Sequence, residues 1–266
     1  MRITGIVTLL AVAVGLASNA MTARAAEALS SAGPEAQGRA RVESVAAKAR
    51  PLIEAERTRP RIAGVWRVTG VTSALLTVDG RQPPLNAAGL KLYRQRSAER
   101  RAGRSSDPLE SCLPPGTPRS MWADAPLLIT QAPAKVTLFH QYRHLIRHVF
   151  LDGPLKLDDP DPTWEGVSSG QWQGDTLVIE TAAFNGKQWL DAAGLPQSSD
   201  MKVTERLRLA DASTLEDVVR IEDPRWYTRA WTTRLSFHRL PDDTELPEEE
   251  CSEKLLELPL KGYAPE

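Results

Sequence analysis

Cysteine and histidine are scarce in this chain of 266 residues: two cysteines, Cys112 and Cys251, and four histidines. Neither cysteine carries the CxxC or paired-histidine spacing of a zinc site. Walker, GxGxxG and HExxH sequences are missing, which disfavours phosphate-loop NTPases, dinucleotide enzymes and zincins; no cofactor is expected. The acidic run Asp158-Asp159-Pro160-Asp161 is broken by proline and lacks EF-hand spacing, so no metal is expected either. A long apolar run is also lacking, since none approaches the roughly 20 residues of a membrane span. The formal net charge is −1, which leaves no electrostatic footprint for nucleic acid or an anionic membrane.

What is present begins with a leader. Arg2, an apolar stretch from Ile6 to Leu16 and the small residues ending Ala23-Arg24-Ala25-Ala26 have the order of a secretory signal peptide over residues 1–26. Its removal takes away Arg2 and Arg24 and leaves 31 basic against 34 acidic residues, a mature charge near −3. The expected location is periplasmic or secreted. There the two cysteines can pair, closing a loop worth about 4 kcal/mol on the chain-entropy model, or stay as free thiols.

Residues 27–60 read as a linker followed by an amphipathic helix, in which Val42, Val45, Ala46, Ala49, Leu52 and Ile53 recur at helical spacing and Pro51 marks a kink or boundary. Residues 61–266 form the main domain. Its period is two: Trp66 and Val68 share a face, and β-rich runs follow at Lys135 to Gln141, Leu145 to Leu151, Gly170 to Gln173 and Thr176 to Thr181 about a Gly174-Asp175 turn, Val203 to Leu209, Leu215 to Glu222 and Trp231 to Arg239. A second helix is expected over Ala87 to Arg101, and a proline-rich irregular loop from Asp107 to Arg119. Consecutive hairpins with one apolar face predict a mainly β fold, an antiparallel up-and-down barrel with an N-terminal amphipathic helix.

The strand at 201–209 carries the best functional lead. One face reads Met201, Val203, Glu205, Leu207, Leu209, and the other Lys202, Thr204, Arg206, Arg208. Glu205 therefore stands among apolar neighbours, where a carboxylate requires a partner, a raised pKa or a ligand.

Two resemblances add to this reading. Gly64-Val65-Trp66 resembles the G-x-W opening of lipocalin and calycin barrels, which implies that Trp66 plugs the closed end under a basic residue, Arg234 or Arg239. The blocks Asp107-Pro108 to Cys112, Pro115-Gly116-Thr117-Pro118-Arg119, Gly170 to Val178, Glu205-Arg206 and Asp223-Pro224 resemble, as a set, an exported bacterial family of largely uncharacterised lipocalin/calycin-like β-barrel proteins. Val167 and Gln197 stand where that pattern has histidine, so no histidine activity is carried over at those positions.

The catalytic candidates are Glu205 as general base, Arg147 as its partner or anion stabiliser, and His140 and His148 as proton-moving groups. His140, His144 and His148 are spaced by four, which aligns them on one face unless a turn at Tyr142 to His144 intervenes. Tyr142, Trp164, Trp172, Tyr227 and Trp231 are the aromatic candidates for a ligand wall. The function these residues suggest is a cofactor-independent lyase, isomerase or hydrolase acting on a small apolar, aromatic molecule held in the barrel. The alternatives are a carrier without chemistry, with Glu205 and Arg147 in a buried ion pair, and an envelope structural or assembly module.

Overall fold

The computed structural model describes residues 34–151, 153–155, 160–248 and 251. The expected leader lies outside them. Two units are distinguished, one ending at Arg57 and one starting at Thr58. The first contains helix α1, Pro34–Thr58, with Pro51 inside it rather than at its end. Val42, Val45 and Ile53 are exposed on it. Among its described side chains no apolar face is buried, so the expected amphipathic character is not clearly expressed.

In the second unit nine strands close into a barrel. They are β1 Gly64–Thr69, β2 Leu127–Ala132, β3 Lys135–His140, β4 Leu145–Phe150, β5 Val167–Gln173, β6 Thr176–Ala182, β7 Lys202–Leu209, β8 Thr214–Glu222 and β9 Trp231–Leu240. Each strand pairs with the next, and β9 returns to β1. Helix α2, Ala87–Arg101, is capped by Asn86, whose Oδ1 accepts from the Gly89 amide at 2.8 Å.

The number nine has a geometric consequence. An antiparallel neighbour reverses strand direction, so a closed ring must contain an even number of reversals and nine strands require at least one parallel pair. That pair is β4 with β5, joined through Val149 opposite Ser168 and Phe150 opposite Ser169 alone. By contrast, the β7–β8 ladder runs over eight residue pairs, from Lys202–Glu222 to Leu209–Leu215. A fully antiparallel up-and-down barrel is therefore corrected at this seam. The strand that makes the count odd is β2, whose Leu-Leu-Ile-Thr run follows Pro126 and lacks clean alternation.

Elsewhere two-residue periodicity holds. Ile129, Leu138, Val149, Ile179, Val203, Leu207, Val219 and Phe237 are buried on successive strands and fill the interior. Trp66 is fully buried; its indole N–H donates to the Ile62 carbonyl at 2.9 Å, and the Arg239 guanidinium lies 4.2 Å from its ring centroid. Arg239 also donates to the Ala63 carbonyl at 3.0 Å. Of the two basic residues expected over Trp66, Arg239 is the one in place, while Arg234 is exposed. Gly64 sits at φ +142°, a conformation side-chain-bearing residues rarely adopt, and its lack of a Cβ leaves room for that guanidinium.

The proline-rich loop is fixed by charge. Arg119 reaches Asp107 with both terminal nitrogens, at 2.8 and 2.7 Å, and both side chains are buried. At its edge Cys112 is bonded to Cys251 with a Cα–Cα separation of 5.7 Å across 139 residues of chain. Among the described residues, no helix is long and apolar enough to cross a membrane.

Replacing both cysteines by alanine is expected to lower the unfolding free energy by about 4 kcal/mol on the chain-entropy account. Urea denaturation of the oxidised protein against the double variant measures this.

Candidate functional site

Arg147 enters the barrel from the middle of β4 and binds across three strands. Its Nε donates to Ser168 Oγ on β5 at 3.0 Å, Nη2 to Thr181 Oγ1 on β6 at 2.8 Å, and Nη1 to Glu205 Oε1 on β7 at 2.9 Å. Nη2 also donates to Glu205 Oε2, completing a bidentate pair. Ser168 and Thr181 are bonded to each other at 3.0 Å. The Arg147 and Glu205 side chains are each 1 % exposed. Burial alone would weaken the guanidinium's hold on its proton, but Glu205 outweighs it and raises the Arg147 pKa.

Beside this pair stand two further buried groups. Asp217 on β8 faces inward, diagonal to Glu205, with neither carboxyl oxygen hydrogen-bonded. Burial first and the charge of Glu205 second push its pKa well above the ordinary value, against the opposing pull of Arg147. His140, at the end of β3, is buried with Nε2 unpartnered. Burial and the nearby Arg147 charge depress its pKa to about 3, so the ring is neutral. Sequence reasoning missed Asp217, although Leu215, Asp217, Val219 and Ile221 alternate as clearly as the strand carrying Glu205.

Outside the barrel wall, where β4 and β5 separate, a cleft of about 420 Å³ opens. Its apolar side includes Pro114, Leu145, Trp164, Ile146 at 54 % exposure and Phe150 at 48 %. Its polar lining comes from Arg147, His148, Thr163, Glu165 and Ser168, of which Glu165 carries the unpartnered atom. Thr117 Oγ1 donates to Glu165 Oε2 at 2.6 Å, while Oε1 is covered and has no partner. Burial raises the Glu165 pKa, opposed by the Thr117 hydrogen bond and by Arg147, and reinforced by Glu205.

The segment carrying Glu165 is held from both sides. Gln188 Nε2 donates to the Trp164 carbonyl at 2.9 Å and to the Thr117 carbonyl at 3.2 Å. Gly116, at φ +68°, lets the proline-rich loop approach so closely that a Cβ would overlap the Trp164 carbonyl. No local pattern marks Glu165, because its partner Thr117 lies 48 residues away on an irregular loop.

The expected site residues are thus divided. Arg147, Glu205 and His140 share the interior, where the buried ion pair foreseen as the alternative is realised; both Glu205 oxygens are occupied, which removes it as a free base. His148 points outward from β4, its Nδ1 3.2 Å from Thr137 Oγ1. The turn at Tyr142–His144 breaks the one-face alignment with His140, since Arg143 and His144 both take positive φ there. His148 and Trp164 line the cleft. Tyr142, half-buried in the turn, packs against its neighbour Arg143. Trp172 packs half-buried against the core. Tyr227 is buried, donating to the Pro196 carbonyl at 2.9 Å, and its ring lies 5.5 Å from that of buried Trp231.

Ser168 stands in Gly166-Val167-Ser168-Ser169-Gly170, which has the letters of a nucleophile elbow. That motif requires a strand-to-helix turn. Here Ser168 lies on β5 and its hydroxyl is engaged by Arg147 and Thr181. No group of histidine, cysteine, aspartate and glutamate with metal-binding geometry occurs among the described residues. Compared with known proteins, the chain matches no family model and no curated protein.

Two titrations check the interior. By NMR the His140 ring is expected to stay neutral down to roughly pH 4, a unit above its midpoint of about 3. Because Asp217 holds its proton more tightly folded than unfolded, its contribution to stability is present at low pH and is lost as pH rises from its unfolded value, near 3.8, through the raised folded value. Asp217→Asn is therefore expected to be more stable than the parent at neutral pH, with the advantage vanishing below about pH 4. Urea midpoints of both proteins between acid and neutral pH measure it.

Proposed function

We propose that this protein is an exported β-barrel that binds a small, largely apolar molecule, with an aromatic body, in the cleft between β4 and β5. The observation that carries this reading is the exposure of Ile146 and Phe150 on one cleft wall. Apolar side chains left open beside a concavity of about 420 Å³ favour an apolar occupant, since burying each is worth about 1.5–3 kcal/mol. Trp164 supplies a flat partner for an aromatic ring. Export to the periplasm or beyond is supported by the leader-like start and by a cysteine pair of the kind oxidising compartments preserve. A lipocalin/calycin-like relationship is supported by Gly64-Val65-Trp66 with Arg239 stacked over the tryptophan. With it goes the resemblance to exported bacterial barrel proteins.

The second reading is acid/base catalysis on the bound molecule. It is favoured by Glu165, a carboxyl with a raised proton affinity, one oxygen fixed by Thr117 and the other unengaged. In that reading Arg147 and Glu205 are positioning residues whose charges set the field around Glu165, and do not touch the substrate.

Titration with the neutral dye N-phenyl-1-naphthylamine tests the binding reading. Saturable one-site fluorescence enhancement is expected, lost in Ile146→Glu and in Phe150→Glu, both surface substitutions that leave the barrel folded. Absence of saturation, or binding indifferent to both variants, would overturn it. Turnover of a bound molecule that disappears in Glu165→Gln while its binding persists would establish the second reading.

A further inference from the structure

The chemistry of the cleft's polar end narrows what the apolar occupant carries. Three inward or cleft-facing carboxyls, Glu165, Glu205 and Asp217, are electrostatically coupled to one cation, Arg147. Glu205 takes two of that guanidinium's contacts, and Ser168 and Thr181 take one each. Arg147 is thereby spent on partners inside the wall and is 1 % exposed. An anionic ligand entering the cleft would meet the Glu165 carboxyl and a guanidinium whose donors are already engaged, whereas a donor that displaces the cover over Glu165 Oε1 would meet an unpartnered acceptor.

That acceptor is Glu165 Oε1. Among the described residues lining the cleft, it is the buried side-chain polar atom without a hydrogen-bond partner. A buried acceptor left unmade costs about 1–3 kcal/mol, so a donor delivered there gains more than one delivered to water. Its fellow oxygen is fixed by Thr117, and the segment behind it by Gln188, so the acceptor is preorganised. His148, on the cleft's outer side, is itself held by Thr137 and tilts against Phe150.

We propose that the ligand of this cleft is an amine: a compact aromatic body against Ile146, Phe150 and Trp164, bearing an ammonium that donates to Glu165 Oε1. This rests on the binding reading above and deepens it. The ammonium answers both the unpartnered oxygen and the charge of the Glu165 carboxylate, and a charge-assisted hydrogen bond in a half-dry cleft is the strong kind. An alcohol of the same shape satisfies the oxygen but not the charge. A carboxylate satisfies neither.

Benzylamine, benzyl alcohol and benzoate, three probes of one shape, separate these cases. Calorimetric titration of the oxidised full chain at low ionic strength is expected to give affinities in that order, with no measurable benzoate binding. Glu165→Gln, nearly isosteric, is expected to cost benzylamine at least about ten-fold while leaving benzyl alcohol within about three-fold. Benzoate binding as well as benzylamine, or benzylamine indifferent to Glu165→Gln, would overturn the proposal. If the naphthylamine dye binds and none of the three probes does, the amine class is wrong and the binding reading stands. If the dye also fails, the binding reading itself falls.

Discussion

The ion pair between Arg147 and Glu205 is the interaction on which the rest of this barrel depends. A ring of nine strands cannot be antiparallel throughout, and the unavoidable parallel neighbours, β4 and β5, share two residue pairs where the other ladders run over three to eight. Backbone hydrogen bonds therefore do least work at this place. One side chain crosses the gap instead: Arg147 leaves β4 and bonds to β5 through Ser168, to β6 through Thr181 and to β7 through Glu205. Arginine suits this task because its planar fork presents several donors in fixed directions; lysine, a single point donor, cannot reach three strands at once. The desolvation cost of burying two charges is offset by bidentate geometry and by hydroxyls that occupy further donors.

The same seam explains why the candidate site lies in the wall and not in the lumen. Interior positions are filled by side chains from all nine strands, as in small barrels generally. Where the ladder stops, β4 and the segment carrying Trp164 and Glu165 diverge, and the space between them opens outward with apolar sides. Arg147 sets the electrostatics from beneath. It neutralises Glu205, adds to burial in keeping His140 uncharged and leaves Asp217 and Glu165 short of a counter-charge. Fold closure, charge placement and the cleft thus share one cause.

Much of this was legible from residue order and some was not. Alternation placed Glu205 on the buried face, and the placement is correct, because a two-residue period leaves a strand residue no third choice. Alternation also described β8, yet Asp217 went unnoticed beside it. Glu165 had no such marker: its burial comes from a loop 48 residues earlier, and contacts between irregular segments leave no periodic trace. The histidine spacing misled because a three-residue turn with two left-handed residues reset the faces of β3 and β4. Strand β2 was hidden by a short apolar run without alternation, and with it the odd strand number and the seam. The proline inside α1 was tolerated where a boundary was one of two expectations.

A double-mutant cycle on Arg147→Met and Glu205→Gln tests the account most directly, with urea unfolding of the four proteins at neutral pH. If the pair spans the seam as described, the two residues couple by about 2 kcal/mol or more, and the double variant costs less than the sum of the two single variants. Coupling below about 0.5 kcal/mol would show that the barrel closes without this bridge and would contradict the account.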